Sequence, residues 1–421
     1  MEIELINTGS ELMLGRVLNT HQQWLCAQLA NRGWIVTRQI AVADEATAIQ
    51  NAVRESLARA ELIITTGGLG PTSDDLTRDL IAGLLGKKLE MNQETLQRIE
   101  NFFAERKRRM PENTSVQALV PEGAIVLQNE NGTAPGLIIE TKPVVSRSGK
   151  QWLVMLPGPP RELRPMFSHQ VIPLLQKYFP AKKNFVCRTL KTTGLGESLV
   201  EEKLSEQVRK FSESGVEIGY CARVGEVDVR LLSRKPNAAT AIASAEKIIR
   251  EILGQRVFGE EEDSLEAVVV RELIQHRKTL TLAESCTGGF IAHRMTNVPG
   301  ASAIFINGFV TYSNESKQRL LGVREKTLAQ HGAVSEATVR EMAEGARAKS
   351  QTDFALAVTG IAGPGGGSEE KPVGTAFIGL ATESRTIVQH HVFRYDRETF
   401  KFVTSQTALD LLRSEISVSK S

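Results

Sequence analysis

Cysteine is scarce in this sequence. The 421 residues include four cysteines, and none forms a Cys-x-x-Cys pair or stands beside a histidine at the spacing of metal ligands. This argues against a disulfide framework and against a structural zinc site. We expect buried free thiols instead. The four are Cys26, Cys187, Cys221 and Cys286.

An excess of charge of either sign is also missing. Lysine and arginine number 51 against 49 aspartates and glutamates, which gives a formal net charge of +2. The balance argues against a polybasic coat for nucleic acid and against an acidic tail. The basic run at 106–109 is interpreted as a solvated helix terminus, which the helix dipole favours. We therefore expect no nucleic-acid partner.

Long apolar runs are absent as well. No segment approaches the roughly 18 residues that a membrane helix needs, and residues 1–4 are acidic where a signal peptide would be basic. The sequence predicts a cytoplasmic protein with no membrane partner. At roughly 150 residues per domain, the length predicts two or three domains.

Strand and helix patterns alternate through the first part of the chain. A β-α-β-α-β run over residues 2–66 predicts a parallel sheet covered by helices. Strands at 137–140 and 152–156 flank a polar stretch at 145–150, which predicts a hairpin. A β-α-β-β-α pattern follows from about residue 185 and predicts a small α+β unit, and further α and β segments follow it.

The first candidate site is a glycine-rich loop, Gly67 to Thr77, directly after a buried-type strand. Ligands of open parallel sheets bind beyond the carboxyl ends of strands, where glycines let backbone N–H groups approach an anion. The alternative is an ordinary turn in which Asp74 or Asp75 caps the next helix. The two carboxylates could instead hold Mg²⁺ against a pyrophosphate.

The second candidate site is Ser285, which follows a strand and is predicted to open a helix. Backbone N–H groups at a helix start could stabilise an oxyanion. A helix-capping role for Ser285 and a nucleophilic role for Cys286 are the alternatives. Lys317 is the candidate base, because a desolvated lysine can lose its proton; its alternative is a surface cation. A third segment, Thr359 to Thr375, is glycine-rich and predicts an anion-accommodating loop.

Five N-terminal motifs together resemble the N-terminal, molybdopterin-binding-like domain of the CinA family. The resemblance implies metal-dependent hydrolysis of ADP-ribose to AMP and ribose 5-phosphate. It implies that Asp74 and Asp75 bind a divalent metal, that Asp75 is catalytic, and that three glycines hold the pyrophosphate: Gly67, Gly68 and Gly70. The motifs are Thr8-Gly9-Ser10-Glu11-Leu12, Asn19-Thr20, the Gly67 to Thr77 loop, residues 131–136 and residues 156–160. His21 departs from the family pattern.

The C-terminal part is similar to the nicotinamide-nucleotide amidase domain of the same family. The similarity rests on residues 283–289, 311–314, 358–364 and 371–375 together with Lys317. It implies hydrolysis of nicotinamide mononucleotide (NMN) to nicotinate mononucleotide and ammonia without a metal. It also implies that Ser285 is the nucleophile and Lys317 its base. The substrate-binding residues implied are Tyr312, Thr359, Gly360, Arg397 and Lys401.

The sequence thus predicts an α/β multidomain protein of three parts. These are a molybdopterin-binding-like α/β sandwich at 1–180, a small α+β domain at 181–258 and an α/β amidase domain at 259–421. The function expected is that of a bifunctional pyridine-nucleotide salvage hydrolase. Its partners would be NMN and ADP-ribose, and it would form a homo-oligomer, a dimer. The alternative is a non-catalytic molybdopterin- or nucleotide-binding protein that acts in competence or DNA-damage responses.

Overall fold

The structure is a computed structural model of the chain and describes residues 1–141, 150–180 and 185–418. The chain divides into two compact units, Met1–Val186 and Cys187–Ser421. The domain boundaries proposed at 180 and 258 stay predictions.

The first unit is built on one twisted sheet. Within its described residues the strand order is β2-β1-β3-β8-β7-β6. β2, β1, β3 and β8 run parallel, and β7 and β6 are antiparallel additions. A short antiparallel pair, β4 and β5, lies apart from it. The strands are β1 (Ile3–Thr8), β2 (Val36–Val42), β3 (Leu62–Thr66), β4 (Leu89–Met91), β5 (Leu119–Pro121), β6 (Ile125–Leu127), β7 (Gly136–Thr141) and β8 (Gln151–Leu156).

Helices join these strands. A 3-10 helix at Glu112–Ala118 precedes β5, and a π-helical turn at Phe167–Val171 joins the last two α-helices. The α-helices are α1 (Ser10–Met13), α2 (Thr20–Ala30), α3 (Ala46–Leu57), α4 (Thr77–Leu84), α5 (Gln93–Glu105), α6 (Pro160–Met166) and α7 (Ile172–Tyr178).

The central strands are buried on both faces, which explains their continuous apolar sequence. Side chains of β3 alternate between two cores, because successive residues of a strand point to opposite faces. Leu62 and Ile64 join the cluster of α2, α6 and α7, whereas Ile63 joins the cluster of α3 and α4. The predicted parallel sheet is confirmed. The predicted antiparallel pair is β7 with β8, but most of the predicted turn, 145–149, lies outside the described residues.

The second unit contains two sheets in its described part. The antiparallel one has the order β10-β11-β9-β12, and the mixed one β14-β13-β15-β16-β17. In the mixed sheet β14, β13 and β15 run parallel. The strands are β9 (Val186–Thr193), β10 (Val216–Arg223), β11 (Glu226–Ser233), β12 (Val257–Glu260), β13 (Leu280–Glu284), β14 (Phe305–Val310), β15 (Phe354–Gly360), β16 (Thr375–Ala381) and β17 (Thr386–Val392).

Helices of the second unit pack on both sheets. The antiparallel sheet carries two of them and forms the small α+β middle domain, as the β-α-β-β-α pattern predicts. The mixed sheet belongs to an α/β C-terminal domain with one apolar core on each face. The helices are α8 (Glu197–Glu213), α9 (Ala238–Leu253), α10 (Leu265–His276), α11 (Phe290–Thr296), α12 (Asn314–Leu321), α13 (Glu325–His331), α14 (Glu336–Ser350) and α15 (Arg397–Val418).

A network of hydrogen-bonded polar side chains connects the middle domain to α11. Gln406 Nε2 donates to Glu226 Oε1 at 2.7 Å, and Arg294 donates to Gln406 Oε1 at 2.7 Å. Arg294 also donates to Glu266 at 2.6 Å and to Ser405 at 2.7 Å.

No helix in the described part of the chain has the length and apolarity to cross a membrane.

Candidate functional sites

Three strand ends of the first unit meet at one edge of its sheet. Asn7 of β1 pairs with Thr66 of β3, and Thr66 pairs with Leu156 of β8. The loops that follow these strands therefore converge, as expected for parallel strands. Together with residues 133–134 they line a cavity of about 410 Å³. Of the five N-terminal motifs, the structure thus gathers four around this cavity.

Glycines of the 67–70 segment are required by close packing. Gly67 and Gly68 have φ of 97° and 67°, which side chains rarely adopt. A Cβ on Gly67 would lie 2.6 Å from the Thr8 carbonyl oxygen, and one on Gly68 would lie 2.0 Å from Thr77 Oγ1. A Cβ on Gly70 would lie 2.3 Å from Asp75 Oδ2. The loop is folded back onto its neighbours, and all three glycines line the cavity.

Asp74 and Asp75 share the Thr72 hydroxyl. Thr72 Oγ1 is 2.5 Å from Asp74 Oδ1 and 2.5 Å from Asp75 Oδ2, and the Thr72 N–H donates to Asp75 Oδ2 at 3.0 Å. The hydrogen bond from Thr72 lowers the pKa of Asp74. Helix α4 begins at Thr77 after Leu76, with no side-chain cap. The alternative that Asp74 or Asp75 caps this helix is therefore wrong.

The cavity is lined by acidic groups. No lysine or arginine is among the described residues on its wall, so a pyrophosphate would need a cation brought with it. In the residues that the structure describes, no cluster of three His, Cys, Asp or Glu side chains could hold a metal alone. Mg²⁺ commonly takes one or two carboxylates and completes its shell with substrate phosphates and water, so Asp74 and Asp75 fit this role. The acids are Glu11, Asp44, Asp74, Asp75 and Glu162.

Glu162 is a cavity residue that the sequence analysis missed. It lies on α6, is 8% exposed, and its Oε2 accepts from Asn129 Nδ2 at 2.8 Å. Burial raises the pKa of this carboxyl. Gly132 leaves room for it, because a Cβ there would lie 2.2 Å from Glu162 Oε2. Its position just after the 156–160 motif was the signal that could have found it.

In the second unit, Lys317 and Ser285 lie in contact. Ser285 follows β13, and Lys317 lies on α12, which Ser313 caps by accepting from the Ser316 N–H at 3.1 Å. Lys317 Nζ is 3.1 Å from Ser285 Oγ, with Lys317 1% exposed and Ser285 8% exposed. The alternative of a surface lysine is therefore wrong.

The Lys317 amine is buried and lies against two backbone carbonyls. Nζ donates to the carbonyl oxygens of Thr311 at 2.8 Å and of Tyr312 at 3.3 Å. A neutral amine has two N–H donors for these two carbonyls, and its lone pair is then free to accept the Ser285 hydroxyl proton. Burial lowers the pKa of Lys317, which the small effect of Cys286 opposes. The arrangement is that of a base beside a nucleophile.

The expected helix start at Ser285 is wrong. Residues 285–289 form a turn, and α11 begins at Phe290. The buried Glu284 carboxylate accepts from the N–H groups of Gly289, Ile291 and Ala292 at 2.8–3.1 Å and from the Thr287 hydroxyl at 2.6 Å.

The hydrogen bonds of Glu284 affect two predicted roles of this segment, the oxyanion site and the helix cap. The donors at the start of α11 are occupied by Glu284, so they are not free to hold an oxyanion. Within the described residues, the N–H groups of Cys286 and Thr287 donate to no oxygen acceptor, and both point towards the Cys286 sulfur. Ser285 is not a helix cap either, because Gly289 is the residue before α11 and no side chain caps this helix.

Cys286 has the wrong surroundings for a nucleophile. Its side chain is 6% exposed and belongs to an apolar core of the C-terminal domain. Burial raises the pKa of the thiol to about 12. The thiolate is the reactive form of cysteine, so this thiol is unreactive at neutral pH.

The structure brings two of the proposed substrate-binding residues together. Arg397 donates to the Tyr312 hydroxyl at 3.0 Å and to the Gly363 carbonyl at 2.8 Å, which places its guanidinium on the glycine-rich loop. Tyr312 is 65% exposed. Lys401 lies one turn further along α15, with Nζ 5.8 Å from the centre of the Phe290 ring.

Thr359 and Gly360 are tied to the fold. The Thr359 hydroxyl donates to the Ala333 carbonyl at 2.8 Å, and the side chain is 1% exposed. A Cβ on Gly360 would lie 2.6 Å from the Thr375 carbonyl oxygen. Both residues position the loop after β15, and a direct contact of either with substrate stays a prediction.

Comparison with protein families assigns each part of the chain. Residues 4–177 match a family model described as "Probable molybdopterin binding domain". Residues 187–259 match "Damage-inducible protein CinA KH domain", and residues 262–416 match "CinA C-terminal domain".

Relatives match over the full length of the chain. A protein of Caldicellulosiruptor bescii, named for competence-damage induction, is 45% identical over 421 residues and 99% of each chain. A "CinA-like protein" of Kosmotoga olearia is 44% identical over 98% of each chain. A crystal structure of a CinA superfamily protein from Klebsiella pneumoniae is 36% identical and covers 37% of this chain and 96% of its own, with a TM-score of 0.36.

We expect Glu284→Ala to destabilise the turn and α11. The substitution leaves four donors without an acceptor, which should lower the free energy of unfolding by about 3 kcal/mol. Urea denaturation gives this value, and hydrogen exchange of the Ile291 and Ala292 amides localises the effect. Glu369→Ala, at an exposed loop glutamate, is the control and should change neither measurement. Unchanged exchange in Glu284→Ala would contradict the role given to this carboxylate.

Proposed function

The chain belongs to the CinA family, and we propose that its C-terminal domain hydrolyses NMN to nicotinate mononucleotide and ammonia without a metal. The observation that carries this proposal is the 3.1 Å contact between the buried Lys317 Nζ and Ser285 Oγ. It joins a nucleophile to a base whose pKa burial lowers. The expected cytoplasmic location and dimeric state remain proposals alongside it.

The chemistry follows from the two side chains. Neutral Lys317 takes the hydroxyl proton while Ser285 Oγ bonds to the carboxamide carbon, whose oxygen becomes an oxyanion. The Cys286 and Thr287 N–H groups are the donors that the turn offers to this oxygen. The C–N bond then breaks, and Lys317 returns the proton to the leaving nitrogen, which departs as ammonia. Water attacks the acyl-enzyme by the same route, which releases the carboxylate and restores Ser285.

Arg397 is proposed to bind the phosphate end of NMN. Two of its nitrogens are held by Tyr312 and Gly363, which fixes the direction of the guanidinium. Its remaining N–H donors can bind phosphate oxygens, a geometry that suits arginine. Lys401, one helical turn away, would add a second positive charge.

We further propose that the N-terminal domain hydrolyses ADP-ribose to AMP and ribose 5-phosphate. The support is the single cavity shared by the glycine loop and by Asp74 and Asp75. A divalent metal held by these aspartates would supply the positive charge that the cavity wall lacks. Asp75, whose Oδ1 is not engaged by Thr72, is the residue we propose to orient the water that attacks the pyrophosphate.

Ser285→Ala should abolish ammonia release from NMN, with a loss of at least about 10³-fold, because the nucleophile is gone. Cys286→Ala should retain most of the activity. An ammonia-release assay on purified full-length protein measures both. Activity in Ser285→Ala together with inactivity in Cys286→Ala would mean that the nucleophile is the cysteine. Tight binding without turnover in the wild type would favour the non-catalytic alternative.

The amidase rate should rise once with increasing pH and then reach a plateau. Lys317 acts as a base only when neutral, and burial lowers its pKa, so the active fraction grows as pH rises through that lowered pKa. The midpoint of the kcat profile should lie below about 10.4, the pKa of a free lysine. Lys317→Arg should be inactive at every pH, since a guanidinium keeps its proton. A midpoint at or above about 10.4 would contradict this role.

Asp75→Asn should reduce metal-stimulated AMP release from ADP-ribose by about 100-fold or more, because the variant loses a charged oxygen ligand and water-orienting group. Chromatographic quantitation of AMP at several Mg²⁺ concentrations measures the effect. Glu90→Gln, at an exposed glutamate on β4, is the control. Full activity in Asp75→Asn would remove this residue from the chemistry.

A further inference from the structure

One buried acceptor on the wall of the N-terminal cavity lacks a donor. Gln117 is 2% exposed, and its Nε2 donates to the Leu69 carbonyl at 3.4 Å. This contact fixes the amide orientation and leaves Oε1 buried without a hydrogen-bond partner. Buried side-chain oxygens of this kind are rare in native proteins. A ligand that donates a hydrogen bond would satisfy it.

Glu162 is a second acceptor on this wall. Its Oε2 accepts from Asn129, and its Oε1 forms an ion pair with Arg161 Nε at 3.9 Å and accepts no hydrogen bond from the described residues. Gln117 and Glu162 thus offer oxygen acceptors, and no cation, to the ligand. The part of a ligand that lies against them must therefore carry hydrogen-bond donors and no negative charge.

The lining also restricts the class of donor. No aromatic ring is among the described residues that line this cavity, so a flat heterocycle such as a pterin or adenine would find no stacking partner. Sugar hydroxyls need no stacking, and a carboxylate is a common acceptor for ribose hydroxyls in nucleotide sites. The cavity therefore favours a ribose attached to the pyrophosphate.

A neighbouring cavity indicates which ribose this is. It measures about 650 Å³ and contains the Phe102 ring, with the Arg106 guanidinium 3.6 Å from the ring centre. Thr133 lines both cavities, and Asn129, which binds Glu162, lines the larger one. A base placed near Phe102 and a pyrophosphate at Asp74 and Asp75 would leave the adenosine ribose beside Glu162.

We propose that Glu162 and Gln117 bind the hydroxyl groups of the adenosine ribose and make the cavity selective for ribonucleotides. The inference rests on the proposed hydrolysis of ADP-ribose. It assigns specificity to two residues outside the glycine loop and the aspartate pair.

The test compares binding of AMP, of its 2′-deoxy analogue dAMP and of ribose 5-phosphate to the full-length protein by isothermal titration calorimetry. Wild type should bind AMP at least about 10-fold more tightly than dAMP. Glu162→Gln and Gln117→Met should each weaken AMP binding by about 10-fold and leave ribose 5-phosphate binding unchanged, and the variant at the acceptor of the 2′-hydroxyl should also leave dAMP binding unchanged. Glu122→Gln, at an exposed glutamate, is the control. Thermal melting identifies any variant that does not fold. If one of the two variants does not fold, the other is used for the test.

The outcomes separate this inference from the proposed reaction. Equal affinity of the wild type for AMP and dAMP, or equal weakening of both in folded variants, overturns the inference even if ADP-ribose is hydrolysed. A preference of the wild type for AMP over dAMP that the variants lose supports the inference, even if no hydrolysis of ADP-ribose is found. A wild type that binds neither AMP nor dAMP overturns the inference, and the absence of hydrolysis then overturns the reaction as well.

Discussion

The carboxylate of Glu284 is the interaction on which the C-terminal site depends. A buried charge is tolerated only with enough donors around it, and Glu284 takes them from the turn that follows it and from the start of α11. This fixes the turn that carries Ser285. These hydrogen bonds engage both carboxylate oxygens of Glu284. In the described part of the chain, Lys317 forms no ion pair with a carboxylate. The position of Ser285 beside Lys317 thus depends on where one negative charge is satisfied.

Sequence reasoning predicted the features that depend on local pattern. The strand 62–66, the parallel sheet and the strand-to-helix approach to Lys317 follow from apolar runs and turn residues. The start of α11 could not be predicted, because Glu284 reaches forward to satisfy its donors and shifts the helix start to Phe290. The burial of Lys317 and the position of Gln117 beside Leu69 also lay beyond the sequence. Both depend on which segments the sheets bring together.

The two candidate sites present opposite charge to an anionic ligand. The C-terminal loop carries a fixed arginine, Arg397, which two neighbours orient. The N-terminal cavity is lined by carboxylates, so negative charge on a ligand is unfavourable there unless a cation accompanies it. The near-zero net charge is therefore the sum of regions of opposite local charge, positive at Arg397 and negative at the N-terminal cavity. Net charge alone says little about which small molecules such a chain can bind.

The burial of Cys286 bears on how the protein would respond to oxidants. Peroxide attacks thiolates, and the residue beside Ser285 keeps its proton and is closed off from solvent. The proposed chemistry of Ser285 would thus continue under oxidising conditions that inactivate many cysteine-dependent enzymes. Cys221 in the middle domain is exposed. Among the thiols of the described residues, it is a more accessible point for redox modification, and it lies in a different domain from Ser285 and Lys317.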